Sequence, residues 1–251
     1  MTDPRAASTT RRVDWTDALL PTVDQVPVSL RPELARRWTL VAQMEHASIA
    51  AFARFSLQLL ALGAPSDLIE RTNQALADET AHARSAFALA SAYAGRPIGP
   101  DRLALDGAFG GAIDLAEVVR LVVRKGCVGE TVAAIEASEA EGRCIDPVVR
   151  RVLARIAVEE GRHAELAWRT VRWALDAGDP RVRQVLADEL SLLETEVEVA
   201  APPTTSDADE RLLAWGCATD GLRAVLRASA LERVVLPALG AMLADAQRRA
   251  A

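Results

Sequence analysis

Aromatic residues are scarce in this chain, 4% of 251 positions with one tyrosine, Tyr93, so most of its hydrophobic share is aliphatic. Cysteine is scarcer. Cys127, Cys144 and Cys217 are odd in number and form no C-x-x-C pair, which excludes a disulfide framework and a thiolate zinc site and points to a reducing cytoplasm. No apolar run approaches the ~20 residues a membrane-crossing helix needs. Residues 1–12 hold no apolar stretch, so the Arg11-Arg12 pair does not read as a secretion signal. Basic residues are outnumbered 29 to 35, for a net charge of −6. A dedicated nucleic-acid binder needs a basic face, so neither nucleic acid nor a membrane is an expected partner.

What is abundant favours helices. Half the residues are hydrophobic, enough for one sizeable core. Alanine, leucine, valine, glutamate and arginine dominate, and most of these lose little side-chain freedom in a helix. Nothing reads as a strand, and the expected class is all-α. Residues 1–30 are polar and punctuated by proline, and read as an arm with a short turn around Trp15–Leu20. A helix starts near Pro32, a first-turn proline, and stops at Gly63-Ala64-Pro65. Ser66 can cap a second helix running to about Ala94. The glycine- and proline-rich residues 95–113 form a long crossover to a third helix, Asp114 to Glu141. Asp146-Pro147 opens a fourth that ends near Gly178, giving a helical unit over 31–178. Residues 179–251 form a C-terminal helical appendage on the same domain, with a helix over Pro180–Val199 and Pro237 as a kink or break.

Two of the three histidines end a Glu-x-x-His tetrad: Glu79-Thr80-Ala81-His82 and Glu160-Gly161-Arg162-His163. Each follows a lone glutamate on the preceding helix, Glu45 and Glu130. The stretch around Asp78-Glu79 aligns with Glu159-Glu160, so the two helical hairpins look like copies. A Glu and a His three residues apart lie on one helix face. Their places agree with apolar stripes: Leu153, Ile156, Glu160, His163, Ala167 and Val171 on the fourth helix; Val119, Val123, Cys127, Glu130, Ala134 and Ala137 on the third; Trp38, Val41, Glu45, Ile49, Phe52 and Leu59 on the first. At 1.5 Å per residue the four glutamates lie about 17 to about 26 Å from the turn of their hairpin, near one level.

Four carboxylates and two imidazoles on four helices form the ligand set of a carboxylate-bridged di-metal centre in a four-helix bundle. Their charge offsets that of two divalent ions, and the oxygen and nitrogen donors suit iron or manganese. The competing reading is a metal-free bundle with buried ion pairs.

On these residues the chain resembles the ferritin-like superfamily of di-iron carboxylate proteins over about residues 31–178. The resemblance implies a ferritin-like four-helix bundle and two iron ions, with manganese or a mixed pair as alternatives. It makes Glu45 and His82 terminal ligands of one ion, Glu130 and His163 of the other, and Glu79 and Glu160 bridges. The leading expectation is a non-haem di-iron oxidoreductase that activates dioxygen to oxidise or hydroxylate a small molecule. Electrons would come from a separate donor or the substrate. An iron-storage or ferroxidase protein and a di-manganese catalase are the alternatives, and the oligomeric state is not legible. Ala86 stands where a reductase small subunit has its radical tyrosine, and Ala134 where many oxygenases carry a threonine.

Ile49, Phe52, Ala133 and Ala134 are the expected pocket neighbours. His46, turned by about 100° from Glu45, is expected to hydrogen-bond nearby rather than ligate, and Cys127 to be a small core residue. Glu159, Glu165, Glu136 and Glu139 are expected on solvated faces, and Glu141 lies three turns from Glu130.

Overall fold

Helix-forming composition dominates the architecture that results. The computed structural model describes residues 8–105, 113–199 and 207–250. Among them the protein is all-α, apart from one antiparallel ladder pairing β1 (Thr9–Thr10) with β2 (Gly99–Pro100). That ladder corrects the expectation of no strand; segments of two residues carry no periodic pattern to read.

Helix α1 (Arg31–Ala61) places Pro32 in its first turn, where the missing N–H breaks no bond. It ends at Gly63, whose φ of +69° is left-handed backbone that favours glycine. Helix α2 (Ser66–Ala94) follows after a short turn and packs along α1. Ser66 is already helical; Pro65 occupies the capping position and no side chain caps there. The buried face of α2 is rich in alanine, at 75, 83, 86, 88 and 90, which lets neighbouring helices come close.

The third run is not one α-helix. Asp114 caps α3 (Leu115–Leu121) by accepting from the Ala116 N–H, residues Val122–Glu130 adopt a π-helix, and α4 (Thr131–Arg143) completes the run. Part of the expected crossover, 106–112, lies outside the described residues. Helix α5 (Pro147–Asp176) pairs with α4 and the π segment and packs against α2. Its stripe Val149, Leu153, Ile156, Glu160, His163, Ala167, Val171 is buried throughout. Helix α6 (Pro180–Val199) lies on α3. After α7 (Asp207–Leu213) and α8 (Asp220–Ala230), a second π segment (Leu231–Val235) runs directly into α9 (Leu236–Ala250). Pro237 therefore does not break the chain. The wider turn immediately before it gives the ring room in an otherwise continuous helix.

Two apolar clusters make up most of the core. One joins Leu34, Trp38, Phe87, Tyr93, Val149 and Ile156. The other joins Val119, Val123, Val171, Leu186, Leu231 and Leu239. Residues 8–30 are part of this packing, for Trp15, Leu19 and Val23 lie against the first cluster and Val26 is buried in it. The regular turn of the arm is a 3-10 helix at Val23–Gln25, later than expected. Among the described residues no helix is long and apolar enough to cross a membrane.

Asp146 ties the N-terminal arm to the start of α5. Its Oδ1 accepts from the Val148 and Val149 N–H groups at 2.8 and 3.2 Å, capping α5, while Oδ2 accepts from the Thr22 N–H and hydroxyl at 2.6 Å each. Burial acts to raise this carboxyl, but the four donors outweigh it and hold Asp146 below the ordinary aspartate value of 3.8. Its stabilisation is therefore complete above that value and is lost as pH falls through the lower, folded one. Asp146→Ala is expected to cost about 1–2 kcal/mol in urea unfolding at pH 7. The deficit should shrink below pH 3.8.

Candidate metal centre

Four helical runs deliver six side chains to one place between the two apolar clusters. Glu45 comes from α1, Glu79 and His82 from α2, Glu130 from the last residue of the π segment, and Glu160 and His163 from α5. One donor atom each of Glu45, Glu79, His82 and Glu160 lies within 4.8 Å of the others, and the same is true of Glu79, Glu130, Glu160 and His163. The quartets share Glu79 and Glu160. Those two glutamates and both histidines are at most 3% exposed, while Glu45 and Glu130 are only partly buried.

The contacts cross between the hairpins. His82 Nδ1 on α2 lies 3.2 Å from Glu160 Oε1 on α5 and 3.8 Å from Glu45 Oε2. His163 Nδ1 on α5 lies 3.2 Å from Glu79 Oε1 on α2 and 3.3 Å from Glu160 Oε2. The two rings are 6.0 Å apart between centroids.

Each imidazole turns its other nitrogen outward to a carboxylate. His82 Nε2 is 2.7 Å from Glu159 Oε2, and His163 Nε2 is 3.3 Å from Asp78 Oδ2. Asp78 and Glu159 are the residues immediately before Glu79 and Glu160, so each helix supports the histidine of the other. Arg162 links the supports, with Nη2 3.5 Å from Asp78 and 3.4 Å from Glu159. The expectation that Glu159 sits on a solvated face is thus corrected: one residue of rotation, about 100°, turns it from the cluster toward α2. The repeat itself held the signal, since both tetrads are preceded by an acid.

Other expectations divide. Glu136 is also not free in solvent, but ion-paired to Arg223 of α8 at 2.7 Å, with burial pushing its carboxyl up. Glu139 is partly buried and pairs with Arg143, whereas Glu165 is exposed. His46 contributes no atom to the cluster; its ring meets that of Trp15 edge-on at 4.8 Å, and burial lowers its pKa. This aromatic contact was concealed by the sequence distance between the two residues. Cys127 is wholly buried and free, and burial pushes its thiol up. Phe52 packs against His163, with ring centroids 5.3 Å apart.

So many buried carboxylates cannot all be charged without cations. Burial and the neighbouring Glu45 and Glu160 charges raise Glu79 well above the usual range, and burial with Glu160 does the same to Glu130. Burial would also raise Glu160, yet His163 and His82 hold it below the usual range. His82 is pushed up to about 10, because Glu160 and Glu45 outweigh the burial that would lower it. The donor set fits divalent cations. Among the described residues Glu79 Oε2 and His82 Nδ1 are buried without a well-aligned hydrogen bond, an uncommon condition for such atoms, although His82 Nδ1 has carboxylate oxygens at 3.2 and 3.8 Å. Supported at Nε2, each neutral ring would present the Nδ1 lone pair inward.

No known family, curated protein or solved structure matches the chain.

The metal-stripped protein should weaken as pH rises. A histidine raised from 6.5 to about 10 contributes its full stabilisation below pH 6.5 and loses it on the way to about 10. The raised Glu79 and Glu130 act in the same sense, because ionising them in the folded state is costly. Urea midpoints measured with chelator from pH 6 to 10 should fall, and the His82 ring should still be protonated by NMR at about pH 8.

Proposed function

We propose that this cluster holds two divalent metal ions and that the protein is a ferritin-like, non-haem di-iron oxidoreductase acting with dioxygen on a small molecule. One observation carries the reading: two donor quartets that overlap in Glu79 and Glu160. Two ions, each with a Glu/His pair of its own and two shared carboxylates, use every member of the set. Glu45 and His82 would hold one ion, Glu130 and His163 the other, and Glu79 and Glu160 both. Iron bound in such a site supplies redox chemistry with dioxygen, and manganese suits the same donors.

The chain's own residues define what else the site does. Glu159 and Asp78 fix both imidazoles in one orientation, and with a metal at Nδ1 their acceptor oxygens would hold the proton of each neutral ring on Nε2. The more accessible side of the cluster is that of Glu45 and Glu130. Ile49 and Phe52 on α1 and Ala133 and Ala134 on α4, all partly exposed, lie within a turn or two of these glutamates. Such neighbours offer contact surface to an apolar or weakly polar molecule and no side-chain charge to bind a strongly ionic one. The histidine side is closed by Asp78, Glu159 and Arg162.

Protein purified without oxygen should contain about two metal ions per chain. Glu79→Ala combined with Glu160→Ala should abolish binding while circular dichroism stays helical; unchanged metal content in that variant would sink the proposal. Iron-loaded protein should change its optical spectrum on exposure to oxygen. Glu159→Ala leaves His82 Nε2 without its acceptor, so metal affinity should fall about 10- to 100-fold, measured by competition with a chromophoric chelator.

A further inference from the structure

The π segment Val122–Glu130 poses a question the cluster does not answer by itself. Hydrogen bonds from i to i+5 are rare, occur mostly as single turns and often lie at functional sites. Here they run over nine residues and end on Glu130. If the segment returned to ordinary α pairing, residues downstream would turn by about 100° for each residue of register lost. Glu130 would then leave the cluster, so the surroundings must hold the wider turn.

Two contacts do so from opposite sides. On the α5 side, Gly126 faces Ala167 so closely that any added Cβ would overlap the Ala167 methyl. On the α6 side, Glu189 is 1% exposed and both of its oxygens are taken. Arg124 reaches it through Nε at 2.6 Å and Nη2 at 2.9 Å, and Arg120 through Nη1 at 3.0 Å. Arg120 lies in the last turn of α3 and Arg124 within the π segment, so the clamp spans the point where one helix type becomes the other. A paired fork of this kind is directional as well as strong. Leaving the buried Glu189 without its arginines would be costly, which makes the clamp hard to open.

We propose that Glu189 is a positioning residue for the candidate metal centre. By gripping Arg120 and Arg124 it holds the π-helical register that delivers Glu130 to the cluster. Helix α6, the first of the C-terminal appendage, thereby becomes part of the site's support, although it contributes no donor atom. The proposal rests on the di-metal reading for its consequence and on the π segment for its mechanism, so the test measures both.

Full-length wild type, Glu189→Gln and Glu196→Gln are compared. Glu196 lies on the same helix but pairs with Arg227 of α8 rather than with the clamp, so its variant reports the loss of one charge and one ion pair from α6. Amide hydrogen exchange is measured on metal-stripped protein, and Fe(II) is titrated without oxygen. Glu189→Gln should speed exchange across 122–130 about tenfold or more relative to α1 and α2. It should also weaken one of two Fe(II) sites by about tenfold or more and leave the other near wild type. Glu196→Gln should show neither local change. Exchange at 122–130 that stays at the wild-type rate, or rises equally along the chain, overturns the proposal. So do two Fe(II) sites in Glu189→Gln that match wild type. Wild type that binds no Fe(II) defeats the metal reading instead, and local exchange alone then decides whether the clamp sets the register.

Discussion

Mutual repulsion among buried carboxylates is the constraint around which the protein is arranged. Like charges within 4.8 Å of one another repel by roughly 3 kcal/mol or more at the effective dielectric of a protein site. Glu45, Glu79, Glu130 and Glu160 bring several such pairs together, two of them almost free of solvent. Protons relieve part of this: Glu79 and Glu130 are pushed toward their neutral form and His82 toward its charged one. Cations would relieve it more fully. The surrounding helices therefore have to hold together groups that would separate if left alone.

The scaffold meets that demand in layers. Apolar clusters above and below fix the helices, with Phe87, Trp38 and Ile156 in one and Val123, Val171 and Leu186 in the other. Alanines on α2 allow close approach. Asp78 and Glu159 then tie each histidine to the opposite hairpin, and Arg162 neutralises part of the charge they add. Around the third run, Gly126 and Glu189 brace a backbone turn that ordinary helix geometry would not provide. Each layer restricts the rotation of a donor, and rotation is the cheapest way for crowded carboxylates to escape one another.

Much of this was legible from residue order. The paired tetrads and their partner glutamates are the same six side chains that the structure brings together, because i to i+3 spacing and apolar stripes report helix faces directly. Helix limits set by Pro32, Gly63, Asp146-Pro147 and Pro180 fall within a residue or two of those found. The π segment was not legible, since a stripe of Val119, Val123, Cys127 and Glu130 fits an α-helix well enough and local spacing does not reveal a single-register insertion. Nor was the Trp15–His46 contact, whose partners are 31 positions apart on unlike segments.

Sequence by itself determined the helical class and the chemistry available: four acids and two imidazoles at helical spacing, with few aromatics and no thiolate pair to compete. Only the tertiary structure decided which nitrogen of each histidine faces inward, that Glu159 and Asp78 serve the opposite helix, and that α6 braces the segment bearing Glu130. The division has a physical cause. Helical periodicity is local and is written in residue spacing, whereas ring orientation, charge pairing and a π-helical register depend on surfaces that meet only when distant helices pack.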